Sequence, residues 1–204
     1  MTRIKICGLS RIQDIKMVNE VLPDYIGFVF AKSSRRVSPE QASELKSALD
    51  KRILAVGVFV NAAPNEIVQL CKANSIDIIQ LHGDEDLSYV TALKKEVSNP
   101  IIKAVRVQSE RQILEAQSLP CAYLLLDTYQ KGAYGGSGKS FDRSLIPKLE
   151  KSFFLAGGLH AGNVKSAIAD CHPYCLDVSS GVETDGFKDT NKIKEIVRIV
   201  RSEV

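Results

Sequence analysis

Residues 3–30 read RIKICGLSRIQDIKMVNEVLPDYIGFVF. Two runs rich in β-branched and aromatic residues, Arg3–Cys7 and Tyr25–Phe30, flank a stretch at Ile12–Val21 whose apolar positions recur with helical spacing. A strand, a helix and a second strand in so short a span form one βαβ unit, the connection that parallel strands require. The same alternation runs to the end of the chain. Further strands are expected at Leu54–Val60, Ile78–Leu81, Ile101–Arg106, Tyr123–Asp127, Phe153–Ala156 and Cys175–Val178. Helices are expected at Pro39–Leu49, Ala63–Ala73, Leu87–Glu96, Glu110–Ser118, Ser144–Glu150, Asn163–Ala169 and about Asn191–Arg201, with Ser38, Ser109 and Asp189-Thr190 at three of their starts. Eight strand–helix pairs without a break in composition predict an α/β chain, one domain over residues 1–204, closed as a (β/α)8 TIM barrel. An open doubly wound sheet would more naturally have fewer strands and a Gly-rich first turn, where only Cys7-Gly8 stands.

The totals agree with a single globular domain: 204 residues, 45% hydrophobic and 25% charged. A net charge of +3 with scattered Lys and Arg slightly favours small anionic ligands and gives no nucleic-acid footprint. The start, MTRIKICGLS, has no apolar leader, and no run is long enough to span a bilayer, so no membrane partner is expected and the chain is placed in the cytoplasm. Five cysteines at irregular spacing argue for reduced thiols. Cys171, His172 and Cys175 have no second ligand pair at zinc-like spacing, so they are read as apolar fillers and no metal is expected.

In a closed barrel, function gathers where strands hand over to the following loops. Those positions carry Cys7-Gly8, Arg35 beyond Phe30, His82-Gly83, Asp127, Gly157-Gly158 and Ser179-Ser180-Gly181. The stretch AYGGSGKS at 133–140 resembles a triphosphate-gripping loop, but TYQKG separates it from the preceding strand and Pro147 follows soon after. It is read instead as a loop that folds over a substrate, with Gly135, Gly136 and Gly138 supplying backbone freedom. Phosphate is expected at Gly157, Gly158, Ser180 and Gly181, after strands seven and eight, where barrels of this type often hold it on backbone N–H groups.

Blocks along nearly the whole chain resemble the phosphoribosylanthranilate isomerase family of tryptophan biosynthesis: KICG at 5–8, GFVF at 27–30, SSRRVSP at 33–39, VGVFVN at 56–61, QLHGDE at 80–85, LLLDT at 124–128, YGGSGKSFD at 134–142, AGGL at 156–159 and DVSSGVE at 177–183. The resemblance implies an Amadori rearrangement of N-(5-phosphoribosyl)anthranilate to 1-(2-carboxyphenylamino)-1-deoxyribulose 5-phosphate without metal or organic cofactor; a phosphosugar is the expected partner, and the chain is expected to be a monomer or a homodimer. It assigns Cys7 as general base at C2 and Asp127 as general acid at the furanose oxygen. Arg35, with Arg36 next in line, matches the residue that holds the anthranilate carboxylate, and His82 and Asp177 match positions that shape or contact the substrate. The family often has FDW where Phe141-Asp142-Arg143 stands here. Two rivals remain: the histidine-pathway isomerase, whose base is an aspartate at the place of Cys7, and a non-catalytic barrel that binds a phosphorylated ligand.

Alternation along the first strand puts Lys5 one layer below Cys7, on the same face. Its ammonium is expected to favour the Cys7 thiolate, with Asp177 as the lysine's partner; a buried ion pair that merely plugs the barrel explains the same residues.

Overall fold

Which side chains meet is decided by strand order, and in the computed structural model the eight expected strands close on themselves in sequence order, all parallel. The structure describes residues 1–129 and 141–202. The elements run β1 Arg3–Cys7, α1 Ile12–Val21, β2 Tyr25–Val29, α2 Pro39–Ser47, β3 Leu54–Phe59, α3 Pro64–Lys72, β4 Ile78–Leu81, α4 Leu87–Glu96, β5 Ile101–Val107, α5 Glu110–Gln117, β6 Tyr123–Thr128, β7 Phe153–Leu155, α6 Val164–Cys171, β8 Cys175–Val178 and α7 Thr190–Ser202. Pairing of Lys5 with Asp177 and of Lys5 with Tyr25 seals β1 between β8 and β2.

Alternate residues on each strand divide between two cores. Ile4, Ile6, Ile26, Phe28, Ile79, Leu124 and Leu126 face outward under the helices. Tyr25, Val56, Ile78, Ile102, Leu125, Phe154 and Cys175 fill the interior. At the N-terminal end Phe154 packs against the rings of Tyr25, Tyr123 and Tyr174, with centroids 5.5 to 5.7 Å apart, and Arg3 lies over Tyr174. That aromatic floor closes the N-terminal end of the barrel interior among the described residues, leaving the C-terminal mouth as its opening. α7 shows why the shell holds: Ile193, Ile196, Val197 and Val200 recur at helical spacing, are buried, and the helix lies against α1, α6 and β1.

Ser38 Oγ accepts from Gln41 N, Ser109 Oγ from Gln112 N, and Asp189 Oδ1 from the N–H groups of Asn191 and Lys192, as the expected caps require. One expected helix, Ser144–Glu150, does not form. Residues Arg143–Leu145 make a single 3-10 turn instead, and Ile146 is extended at φ −83°, ψ 109°. Pro147 is the cause, because its ring disfavours helical backbone at the preceding residue and removes a helix donor. A short hairpin of β9 Glu183–Thr184 and β10 Phe187–Lys188 was not expected. It turns on Asp185 and Gly186, at φ 51° and 80°, which fit the pair of left-handed positions of a type I′ turn. Among the described residues no helix is long and apolar enough to cross a membrane.

Candidate active site

The mouth is built around the sulfur of residue 7. Cys7 shares the inward face of β1 with Lys5, and a Cβ on Gly27 of the neighbouring strand would fall 2.6 Å from Cys7 Sγ. Only glycine at 27 lets the thiol lie over β2. Lys5 is fully buried, with Nζ donating to Asp177 Oδ2 at 2.9 Å and to Gln80 Oε1 at 2.7 Å. Burial alone would push the ammonium down, but Asp177 and Cys7 outweigh it and hold Lys5 at about 12. The lysine is therefore charged beneath the thiol.

Its effect on Cys7 is opposed. Burial pushes the thiol up and Asp177 adds to that push; Lys5 and Lys188 pull it down without cancelling it. The expected preference for thiolate is present in direction and outweighed in sum. Lys5→Met is accordingly expected to raise the Cys7 pKa further. The pH dependence of alkylation, read by difference against Cys7→Ala, measures it, and an unmoved midpoint would reject the lysine's role. Stranding Asp177 as an unpaired buried charge costs about 3–5 kcal/mol, so the titration is run in the cold on protein shown to be folded.

Across the mouth, Asp127 ends the inward face of β6 and is 5% exposed. Its Oδ1 accepts from Thr128 N at 2.7 Å, and its Oδ2 stands 3.2 Å from His82 Nε2. His82 Nε2 is buried without a hydrogen bond among the described residues, as is Asp177 Oδ1. His82 Nδ1 is 2.9 Å from Gln80 Nε2. A line of polar groups thus crosses the barrel from Asp177 through Lys5, Gln80 and His82 to Asp127.

The two arginines separate. Arg35 reaches back over Gly8, whose Cβ position is 2.5 Å from Arg35 Cδ, and its Nε and Nη2 donate to Glu183 at 2.7 and 2.6 Å. Arg36 is exposed and lines an outer groove with Pro39, Glu40, Glu66 and Gln69. The β9–β10 hairpin sets Glu183 directly across from Lys188. Lys188 is 5% exposed and donates to Glu183 Oε1 at 2.6 Å and to Ser179 O at 3.0 Å. Burial would raise the Glu183 carboxyl, yet Arg35 and Lys188 together bring it below the usual carboxylate range.

The loops after β7 and β8 converge. Gly157 and Gly158 have φ of 89° and 61°, and a Cβ on Gly157 would strike Thr128 Oγ1 at 2.3 Å. Ser180 and Gly181 lie in a 3-10 turn, Ser180–Val182, and a Cβ on Gly181 would meet Leu159 O at 1.9 Å. These glycines let the two backbones touch beside Asp127. Gly135, Gly136 and Gly138 lie outside the described residues. Cys175 packs inside the barrel and Cys171 against the outer core, so the two thiols belong to different layers.

Cys7, Arg35, His82, Asp127 and Asp177 are thus brought to one mouth, with Gly157, Gly158, Ser180 and Gly181 on its rim; Arg36 is turned away. Gln80, Glu183 and Lys188 were not singled out from the sequence. Asp185-Gly186 was the available signal for the last two, since that dipeptide marks a hairpin that pairs its flanks. A second group also went unseen: Glu85 Oε1 accepts from Asn61 N and Gly83 N, at 2.8 and 3.2 Å, while its Oε2 takes Lys103 Nζ at 2.8 Å. That clamp holds the loop bearing His82.

The chain is similar to known proteins along nearly its whole length. Residues 4–199 match the family model for N-(5'phosphoribosyl)anthranilate (PRA) isomerase. The N-(5'-phosphoribosyl)anthranilate isomerase of Lachnoclostridium phytofermentans is 48% identical over 208 residues, which cover 96% of this chain and 95% of that one. A crystal structure of a phosphoribosyl anthranilate isomerase in complex with reduced 1-(o-carboxyphenylamino)-1-deoxyribulose 5-phosphate superposes with a TM-score of 0.83 at 34% identity, over 99% of this chain and 100% of that one. Monomers generated from the dimeric phosphoribosylanthranilate isomerase of Thermotoga maritima give the same score, identity and coverage.

Proposed function

The chain belongs to the N-(5'-phosphoribosyl)anthranilate isomerase family, and from that premise we propose how its own residues divide the reaction. The enzyme isomerises phosphoribosylanthranilate in tryptophan biosynthesis. Asp127 gives its proton to the furanose oxygen as the bond from C1 to that oxygen breaks, leaving an iminium conjugated to the anthranilate ring. Cys7, as thiolate, removes the C2 proton; the electron pair moves into the C1–C2 bond, and the resulting enolamine becomes the ketone. C1 is reduced as C2 is oxidised within one molecule, which makes the reaction an intramolecular oxidoreduction of aldose to ketose.

The single observation that supports this division is the placement of thiol and carboxyl on inward faces at opposite sides of one mouth, at the ends of β1 and β6. Two proton transfers at separate atoms of one sugar, the ring oxygen and C2, need two groups so held. Arg35, beside Gly8, is the proposed partner of the anthranilate carboxylate; Glu183 holds two of its N–H groups and leaves the outer edge of the fork for the ligand. Asp177 Oδ1, without a partner among the described residues, suits a sugar hydroxyl. The joined loops of Gly157, Gly158, Ser180 and Gly181 suit the phosphate. We read residues 1–204 as one catalytic domain, working in the cytoplasm as a monomer or a homodimer.

The test is the fall in fluorescence of freshly made phosphoribosylanthranilate on adding purified protein, run beside the bisphosphorylated aminoimidazole of the histidine pathway. Turnover of the first with none of the second is expected. No turnover of either leaves a binding barrel, and preference for the second overturns the proposal.

A further inference from the structure

We propose that Gln80 is a positioning residue that fixes the tautomer of His82, so that an N–H, and never a lone pair, faces the carboxyl of Asp127. The inference rests on Asp127 acting as the acid and adds a residue that touches neither reacting carbon.

At the centre of the line stands a donor that cannot accept. Lys5 Nζ offers three N–H groups and no lone pair, and it stands 2.7 Å from the Gln80 side chain. An amide is often ambiguous between its oxygen and nitrogen; here the ammonium fixes it, because only Oε1 can receive its hydrogen bond. Gln80 Nε2 is then turned to His82, 2.9 Å from Nδ1. An NH2 group donates, so Nδ1 must present its lone pair, and the proton of the neutral ring sits on Nε2. That nitrogen is 3.2 Å from Asp127 Oδ2 and has no other partner among the described residues. A buried donor left unpaired costs about 1–3 kcal/mol, so the arrangement is poised for an acceptor that appears later.

The reaction supplies one. When the carboxyl of Asp127 passes its proton to the furanose oxygen, a carboxylate forms beside the waiting N–H. The same contact excludes two harmful states. An imidazolium would carry a second N–H against Gln80 Nε2, donor against donor. The other neutral tautomer would turn a lone pair to Asp127, where it competes with the furanose oxygen for the proton. Gln80 thus keeps the proton directed at substrate, and Lys5, already beneath the thiol, sets both ends of the line.

Two-bond proton–nitrogen NMR correlation of the imidazole rings tests this on the intact protein, with His82→Asn identifying the signals. In the wild type His82 is expected neutral with the proton on Nε2. Gln80→Glu keeps the acceptor for Lys5 and removes the donor for Nδ1; it should move the proton to Nδ1 or charge the ring, and lower kcat ~10–100-fold with KM changed less than about threefold. Gln80→Met, which releases both neighbours, should give mixed tautomers if the glutamate variant fails to fold. A wild-type ring protonated on Nδ1 overturns the proposal whatever the variants do. So does a switched tautomer with unchanged kcat, or an unswitched one. Failure of the acid assignment is separate: it appears as activity retained in Asp127→Asn with the His82 tautomer as described.

Discussion

Cys7→Ala is expected to lower turnover ~10²–10⁴-fold, the range for loss of a general base, while KM changes little. In the proposed mechanism the sulfur removes a proton from carbon, and no other described group at the mouth is assigned to replace it. Lys5 is held by Asp177 and Gln80 and is charged. Carboxylate and phosphate grips lie elsewhere, so binding should persist, and loss of one small atom beside Gly27 leaves the barrel closed. The pH profile carries a second signature. A base must be deprotonated, so kcat/KM rises with pH toward the pKa of the free enzyme's thiol. Burial puts that thiol above its ordinary value, so the rise should continue into the alkaline range. Cys7→Asp would flatten it, because a carboxylate is already ionised there. A Cys7→Ala enzyme with near-normal kcat, or a wild-type profile level from neutrality upward, refutes the assignment.

Burial wins over Lys5 at this thiol, and the sequence could not have shown it. Alternation along RIKIC places Lys5 under Cys7, and the partner Asp177 follows from β8 lying next to β1. The sign of the net shift depends on how fully the mouth excludes water, which is a property of the whole rim. The fold was legible because every βαβ unit repeats one pattern of periods, and the other expected elements end within two residues of expectation. The exception is Ser144–Glu150, where Pro147 holds Ile146 extended and overrides the helical spacing of the apolar residues around it. The placement of Asp127 and Cys7 at the mouth was legible because both stand at strand ends. Gln80 was hidden because it sits mid-strand, and its role depends on two neighbours from β1 and the end of β4. Glu183 and Lys188 were hidden for a different reason, since their pairing needs the Asp185-Gly186 turn to be read first. The choice between Arg35 and Arg36 needed coordinates, as adjacent residues in a loop share every sequence signal and differ only in where they point.

Asp127→Asn removes the proton that opens the furanose, and kcat is expected to fall ~10²–10⁴-fold. The amide is nearly the same size and keeps the acceptor for Thr128 N, so backbone geometry at the end of β6 should survive. With its oxygen there, its NH2 group faces His82 Nε2, donor to donor, and neither group can act as an acid at neutral pH. Loss of acid catalysis must be separated from loss of grip, and the reaction offers the means. The reduced product analogue, 1-(o-carboxyphenylamino)-1-deoxyribulose 5-phosphate carrying an amine and alcohol in open chain, has no ring oxygen to protonate. If Asp127 acts only as the acid, calorimetry should find that analogue bound by wild type and Asp127→Asn within about threefold, and by Cys7→Ala alike, while substrate turnover collapses in both. Neither variant should exchange the C2 hydrogen with solvent, but they stop at different steps: the Cys7 variant can still open the ring, whereas the Asp127 variant stops before the imine. Solvent deuterium entering C1 of the product, or C2 of recovered substrate, in Asp127→Asn at the wild-type rate would show ring opening without this carboxyl, and the acid would have to be sought elsewhere on the rim.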